Sequence, residues 1–210
     1  MKSHHRTGEV KFDSEFLLVL AKAGDEAALG RLLERYRNYI GLLIRLQGQR
    51  SLIKKMDAEG LLYEIGLEIH RKIATFRGSS ACEFLTWVRR MIGSILANQV
   101  RHSPGTIRPD PRLERALIDD LDRSSGVLSR SLVRPRSSAD PQAVCCEHAL
   151  ILADALGELP GTLREVIILR NLERISFPEV ARRMGCTEGA AKNVWLRALA
   201  RLHRILEQSR

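Results

Sequence analysis

Residues 157 to 207, GELPGTLREVIILRNLERISFPEVARRMGCTEGAAKNVWLRALARLHRILE, read as one apolar-periodic helical stretch interrupted at a single spot, and the chemistry of that spot decides the fold. Ser176 followed by Phe177, Pro178 and Glu179 predicts a capping box, with Ser176 as N-cap, proline in the first turn and glutamate three residues on. The helix starting there carries Val180, Ala181 and Met184 on one face and stops at Gly185, which takes a left-handed backbone without a Cβ clash. Thr187 then caps a second helix, with Glu188 in the first turn where the helix dipole favours an anion. Val194, Trp195, Ala198, Leu199, Leu202 and Leu206 recur at helical spacing as its buried stripe. A short helix, a glycine-centred turn and a longer second helix make a helix-turn-helix, and a DNA major groove admits one α-helix braced by another. After Thr187 the outward positions are Glu188, Gly189, Lys192, Asn193 and Arg197. They combine cations for phosphates, an asparagine suited to adenine and a glutamate suited to cytosine. An ordinary αα-hairpin closed by glycine has the same local pattern, so the motif alone leaves both readings open.

The charge narrows the choice. The 210 residues hold 34 Lys and Arg against 25 Asp and Glu, a formal net charge of +9, and from Gly161 to Arg210 ten basic side chains face five acids. A basic helical surface attracts polyanions and releases their counterions, which favours nucleic acid over a membrane surface or a merely solvated face. Apolar runs such as Phe16 to Ala21 and Val166 to Leu169 fall far short of the ~20 residues of a spanning helix. The opening MKSHHRTGEVKFDSE is polar and unlike a signal peptide, so a cytoplasmic location is expected, with no membrane partner. Cys82, Cys145, Cys146 and Cys186 lack CxxC spacing and read as free thiols in a reducing compartment. Cys145, Cys146 and His148 come nearest to a ligand cluster, but vicinal cysteines with one nearby histidine need further ligands, so no metal and no cofactor is expected. His70 and His203 read as helix-surface residues.

The organisation expected is all-α, with two small helical domains. Pro104, Pro109, Pro111, Pro135 and Pro141 and several serines oppose continuous helix through the middle. A Pro/Ser-rich flexible linker over 103–142, holding one short helix around Leu113 to Leu121, would join a helical bundle at 14–102 to a helix-turn-helix domain at 143–208. Asp119, Asp120 and Asp122 fall in that linker and read as solvated charge rather than as the convergent carboxylates of an enzyme. In the bundle, Gly24 and Asp25 lead into a helix with Ala28, Leu29, Leu32, Leu33, Tyr36, Ile40, Leu43 and Ile44 inside. Asp57 caps another with Leu61, Leu62, Ile65, Ile69 and Ile73 as its stripe. A third carries Phe84, Leu85, Trp87, Val88, Met91, Ile92, Ile95, Leu96 and Val100, with Arg89, Arg90, Asn98, Gln99 and Arg101 as its polar partners. Trp87 fits a core position by its spacing from Phe84 and Met91, and fits a stacking platform for single strands by its basic neighbours.

Four segments stand in a fixed order: LLVLAKAGDEAALGRLLERYRNYI, DAEGLLYE at Asp57 to Glu64, FRGSSACEFLTWVRR at Phe76 to Arg90, and LPGTLREVIILRNLERISFPEVARRMG. In that order they resemble the opening helices, the DxxDLVQE segment, the promoter-melting helix and the LP…REV…LR segment of bacterial RNA polymerase sigma factors, in the extracytoplasmic-function group of the sigma-70 family. The likeness runs from Phe16 to Leu206, and WLRALARL and SSADPQAV look like planctomycete-type variants. The resemblance implies an initiation factor without catalysis of its own. It implies that Asp57, Leu61 and Glu64 meet core polymerase, whose contacting parts are the clamp helices of the largest subunit and the flap. It assigns the unpaired −10 strand to Arg77, Trp87, Arg89, Arg90, Ser94, Asn98 and Arg101, and the −35 groove to Thr187, Glu188, Gly189, Lys192, Asn193 and Arg197. It implies a monomer when free, controlled by a separate anti-sigma protein, a kinase or expression level. Departures are Gly60 for the usual Asp, Tyr63 for Gln, Ser94 for Asn and Asn98 for Asp, with Gly93 as a weak point and Val194 and Leu196 where Arg and His are frequent. A stand-alone helix-turn-helix regulator is the alternative; its reading helix would look the same, but such regulators dimerise and the broken middle offers no symmetric interface.

Overall fold

The computed structural model describes residues 14–48, 57–101, 111–132 and 141–208, and every regular element among them is helical. Helix α1 (Ser14–Lys22) turns at Gly24, φ 97°, into α2 (Glu26–Gly48), where Asp25 Oδ1 accepts the amide of Ala28 at 2.9 Å. Asp57 caps α3 (Ala58–Lys72), accepting the amides of Glu59 and Gly60 at 3.1 Å each, and a 3-10 turn (Ile73–Thr75) follows. Helix α4 (Ala81–Arg101) opens on a reciprocal box that the sequence reading did not identify: the Ser80 amide donates to the Glu83 carboxylate at 3.1 Å and the Glu83 amide to Ser80 Oγ at 3.3 Å. The apolar stripes expected of α2, α3 and α4 are the ones buried, with Tyr36, Leu43, Ile65, Ile69, Val88, Ile92 and Leu96 excluded from solvent.

Within the expected linker over 103–142, the described residues 111–132 correct the flexible reading. Residues Pro111–Leu132 form α5, a helix of 22 residues packed against α4 and α6. Pro111 stands at its first position, where a missing amide is harmless, and no proline follows within it; position, not number, decides what proline does. Leu117, Leu121 and Leu128 are buried. Gly93, expected as a weak point, lies at the α4–α5 crossing, where a Cβ would stand 2.6 Å from Ile118 Cγ1. The aspartates are not merely solvated: Asp122 accepts Arg89 Nε at 2.5 Å and Asp120 pairs with Arg123. Pro104, Pro109 and Pro135 lie outside the described residues.

Helix α6 (Pro141–Gly157) packs against α2, α4, α5 and α9. Helix α7 (Gly161–Ile167) runs into a π-helical turn (Ile168–Leu172), and α8 (Phe177–Met184) and α9 (Glu188–Gln208) complete the order. The 157–207 stretch is therefore broken more than once, at 158–160, at 173–176 and at 185–187. At the second break Arg174 takes a left-handed φ of 59°, a conformation no sequence periodicity announces. Buried residues from Leu17 to Ile205 form one connected core.

The cysteine reading is also corrected. Cys82 in α4 and Cys146 in α6 form a disulfide, their Cα atoms 5.8 Å apart, inside the usual range for such a bond. The pair is 64 positions apart in sequence, so only the packing of α6 on α4 brings it together. Cys186 is free and exposed, and the side chain of Cys145 lies outside the described residues.

Candidate nucleic-acid interface

The helix-turn-helix forms at its expected residues, with one change of mechanism. Ser176 has the extended backbone of an N-cap but its side chain makes no cap bond, and the Glu179 carboxylate, which would complete the box on the Ser176 amide, accepts instead from Arg182 (2.7 and 2.6 Å) and Arg183 (3.0 Å). Those two guanidinium groups hold the Glu179 carboxyl down at about 2. Arg183 also bonds Glu173 at 3.0 Å, whose partial burial raises its pKa in spite of the cation. Gly185 takes φ 63°, ψ 35°, and the amide of Cys186 returns to the carbonyl of Ala181 at 3.0 Å, closing α8 as a left-handed cap. Thr187 Oγ1 accepts the amide of Ala190 at 3.2 Å and starts α9.

Helix α9 is held by a face on which Ala191, Ala198, Leu202 and Ile205 are buried, while Val194, Trp195, Leu199 and Leu206 are half-buried. Small Ala181 and Ala191, both buried, let α8 and α9 approach closely. Trp195 is fixed by an edge contact with Phe177 (centroids 5.4 Å apart) and by donating Nε1–H to Asn171 Oδ1 at 2.8 Å. Arg170 lies 4.7 Å above the other partner of that pair, Phe177. Asn171 and Arg170 carry no signal for this role in the sequence and Phe177 enters there only as part of the helix start, since contacts across a turn have no periodic signature. On the opposite side Thr187, Glu188, Gly189, Lys192, Asn193 and Arg197 are all exposed and continuous along one face. Lys192 is partnered there by Glu188 at 2.6 Å, a pair a phosphate would have to separate.

The second group of expected contacts does not share one surface. Arg77, Trp87 and Arg90 line a cavity of about 870 Å³ with Arg35, Thr86, Cys82 and, from α6, Cys146, Glu147 and Leu150. Trp87 packs against Phe76 and Phe84 (centroids 5.2 and 5.9 Å), as the core reading expects, and its half-buried side chain also lines the cavity. Arg89 departs from its expected role, its side chain 11% exposed and bonded to Asp122, to Tyr39 Oη at 3.0 Å and to Thr86 Oγ1 at 3.0 Å. It serves as a strut between α2, α4 and α5. Ser94 and Asn98 are half-buried further along α4, and the side chain of Arg101 lies outside the described residues.

On α3, Leu61 is a core residue, 2% exposed, so it cannot offer the contact expected of it. Its position on the buried stripe dictates this. Asp57 is exposed but engaged as the cap, and Glu64 accepts Gln99 Nε2 at 2.5 Å. The exposed apolar side chains there are Tyr63, at 70%, and Leu67, residues legible in the sequence as apolar positions off the stripe. Among the described residues no group of three or more His, Cys, Asp or Glu could hold a metal ion, and no helix is long and apolar enough to cross a membrane.

Comparison with known proteins places these surfaces in context. Residues 149–202 match the family model described as "Sigma-70, region 4". The chain is 30% identical over 207 residues to "ECF RNA polymerase sigma factor BldN" of Streptomyces coelicolor, covering 96% of this chain and 70% of that protein. It is 28% identical over 184 residues to "ECF RNA polymerase sigma-E factor" of Haemophilus influenzae, covering 87% and 89% of the two chains. A solved structure titled "1.8 A structure of RsbN-BldN complex" matches at 24% identity over 90% of this chain and 98% of that one, with a TM-score of 0.30, too low to support a structural argument.

Proposed function

Because this chain belongs to the extracytoplasmic-function (ECF) group of RNA polymerase sigma factors, we propose that its two DNA-facing surfaces grip two separate promoter elements for the polymerase that carries it. As a member of that group it directs promoter recognition by RNA polymerase and is not an enzyme. The observation that carries the proposal is the exposed face of α9, where Glu188, Gly189, Lys192, Asn193 and Arg197, with Thr187 at the cap, lie opposite buried Ala191 and Ala198.

In this reading Lys192 and Arg197 bind phosphates of the −35 duplex, while Asn193 and Glu188 meet base edges in its major groove. Arg77, Trp87 and Arg90 receive the unpaired −10 strand, the indole stacking on a base and the guanidinium groups pairing with its phosphates. Ser94, Asn98 and Arg101 are further contacts assigned to that strand, and Arg89 acts behind Trp87 and Arg90 by holding Tyr39 and Asp122. Core polymerase meets the outer face of α3 through Glu64, Tyr63 and Leu67, with Asp57 ordering the first turn; the partners are the clamp helices and the flap. Residues 14–102 and 143–208 act as the two functional units, with α5 as a packed helical bridge between them. The placement among planctomycete-like members rests on WLRALARL and SSADPQAV alone. The protein works in the cytoplasm, as a monomer before it meets polymerase, under a separate anti-sigma protein or kinase.

The test is run-off transcription. Purified protein added to sigma-free core polymerase starts transcripts at defined sites on genomic DNA. Failure of both core binding and initiation overturns the reading.

A further inference from the structure

We propose that the Cys82–Cys146 disulfide is a thiol-exchange site for a dithiol reductant of the thioredoxin class, and that it latches α6 across the cavity of Arg77, Trp87 and Arg90. The latch rests on the assignment of that cavity to single-stranded DNA. Three observations carry it. The bond joins the first turn of α4 to α6, the helix that also packs against α9, so one covalent link ties the base of the helix-turn-helix to the bundle. Both cysteines are half-buried and both line the cavity, so a reductant has a path to the sulfurs. In the closed arrangement α6 contributes Cys146, Glu147 and Leu150 to the cavity wall, putting a carboxylate and a leucine beside the cations and the indole that a nucleotide would need.

A polymerase subunit works on the chromosome, in a compartment that keeps thiols reduced, where disulfides are typically transient and redox-sensing rather than structural. The chemistry is ordinary exchange. A thiolate of the reductant attacks one sulfur, forming a mixed disulfide and expelling the other cysteine as a thiolate, which takes up a proton. The second thiol of the reductant then attacks the mixed disulfide and releases the remaining cysteine. The protein gains two electrons and two protons, and the reductant leaves as its own disulfide. A low-molecular-weight disulfide runs the sequence backwards.

Without the bond, α6 is held to the bundle by reversible contacts, among them Asn38 Nδ2 donating to Asp154 Oδ1 at 2.9 Å and the packing of α6 on α2 and α4. Apparent affinity for a strand scales with the fraction of open molecules, so a latch that lowers that fraction about tenfold relative to the reduced protein costs the oxidised protein about tenfold in single-strand binding.

The experiment uses the full chain, oxidised with a low-molecular-weight disulfide or reduced with dithiothreitol. Non-reducing peptide mapping yields one linked peptide containing Cys82 and Cys146. On reduction, amide exchange of residues 148–157 quickens by at least about tenfold, and a labelled single-stranded oligonucleotide binds about tenfold tighter. Cys82→Ser and Cys146→Ala behave as reduced protein in either buffer, while Cys145→Ser with Cys186→Ser keeps the response. Exchange in α6 that is the same in both redox states, or Cys82 and Cys146 both alkylated in the oxidised protein, overturns the latch. Exchange that quickens with no single-strand affinity in any form, Cys82→Ser included, upholds the latch and overturns the assignment of the cavity to the −10 strand.

Discussion

Replacing Lys192 and Arg197 together by alanine tests the docking of α9. Each exposed cation that neutralises one phosphate contributes about 0.9 to the slope of log affinity against log salt, so the double variant flattens that slope by about 1.8. Between roughly 50 and 200 mM salt, the wild type therefore loses about twelvefold more affinity than the variant. The two residues are not equivalent. Lys192 is paired with Glu188 at 2.6 Å, both side chains about half exposed at 51% and 45%. An exposed pair of this kind is worth at most about 1 kcal/mol, so releasing Lys192 to a phosphate forfeits up to about fivefold in affinity that Arg197 does not forfeit. Glu188→Gln removes the competitor: binding to a mixed-sequence duplex tightens by up to about fivefold. On a promoter where Glu188 reads a cytosine, the same substitution instead weakens binding by about 1–3 kcal/mol. Fluorescence anisotropy of labelled duplexes across a salt series measures both effects, with core polymerase association followed in parallel and expected to be unchanged. A salt slope unaltered in the double variant refutes the proposed face.

Other expectations follow from individual contacts. Gly93→Ala meets Ile118 Cγ1 at 2.6 Å, so an overpacking cost of about 1–3 kcal/mol opposes a helix-propensity gain of about 1 kcal/mol, and urea unfolding should show a net loss of up to about 2 kcal/mol. A gain would show that α5 does not pack there. Gly189→Ala, with nothing within 4 Å of the new Cβ, should stabilise the chain by about 1 kcal/mol, and a loss in thermal unfolding would contradict the open position. Glu179, held at about 2 against an ordinary 4.5, contributes stability that is fully present above pH 4.5 and is lost as pH falls towards 2. The stability gap between wild type and Glu179→Gln should accordingly close over that window, and a gap constant with pH would rule out the carboxylate as its source. Tyr63→Ala with Leu67→Ala should weaken core polymerase binding at unchanged duplex affinity, and an unaffected complex in native gels would move the contact off α3.

Much of this protein was legible in the chain because the relevant physics is local. The left-handed turn at Gly185, the cap at Thr187, the Asp57 and Asp25 caps and the apolar stripes of α2, α3, α4 and α9 depend on residues within about four positions of one another. So do the exposed positions of α9, which are what remains when its buried face is assigned. Where two local partners competed, the reading was less secure: Glu179 had an arginine three positions on and another four on, and took those instead of the Ser176 amide. Tertiary structure alone decided the rest. Arg89 became a strut because α5 carries Asp122 to it across 33 positions, and Leu61 left the polymerase-facing set because its side of α3 meets the core. Of the prolines expected to break the middle, Pro111 stands at the first position of a 22-residue helix and none lies inside it. Cys82 and Cys146, unremarkable by spacing, meet only because α6 folds back onto α4. Contacts between distant segments depend on which faces pack, and a periodic pattern says that a face is buried without saying against what.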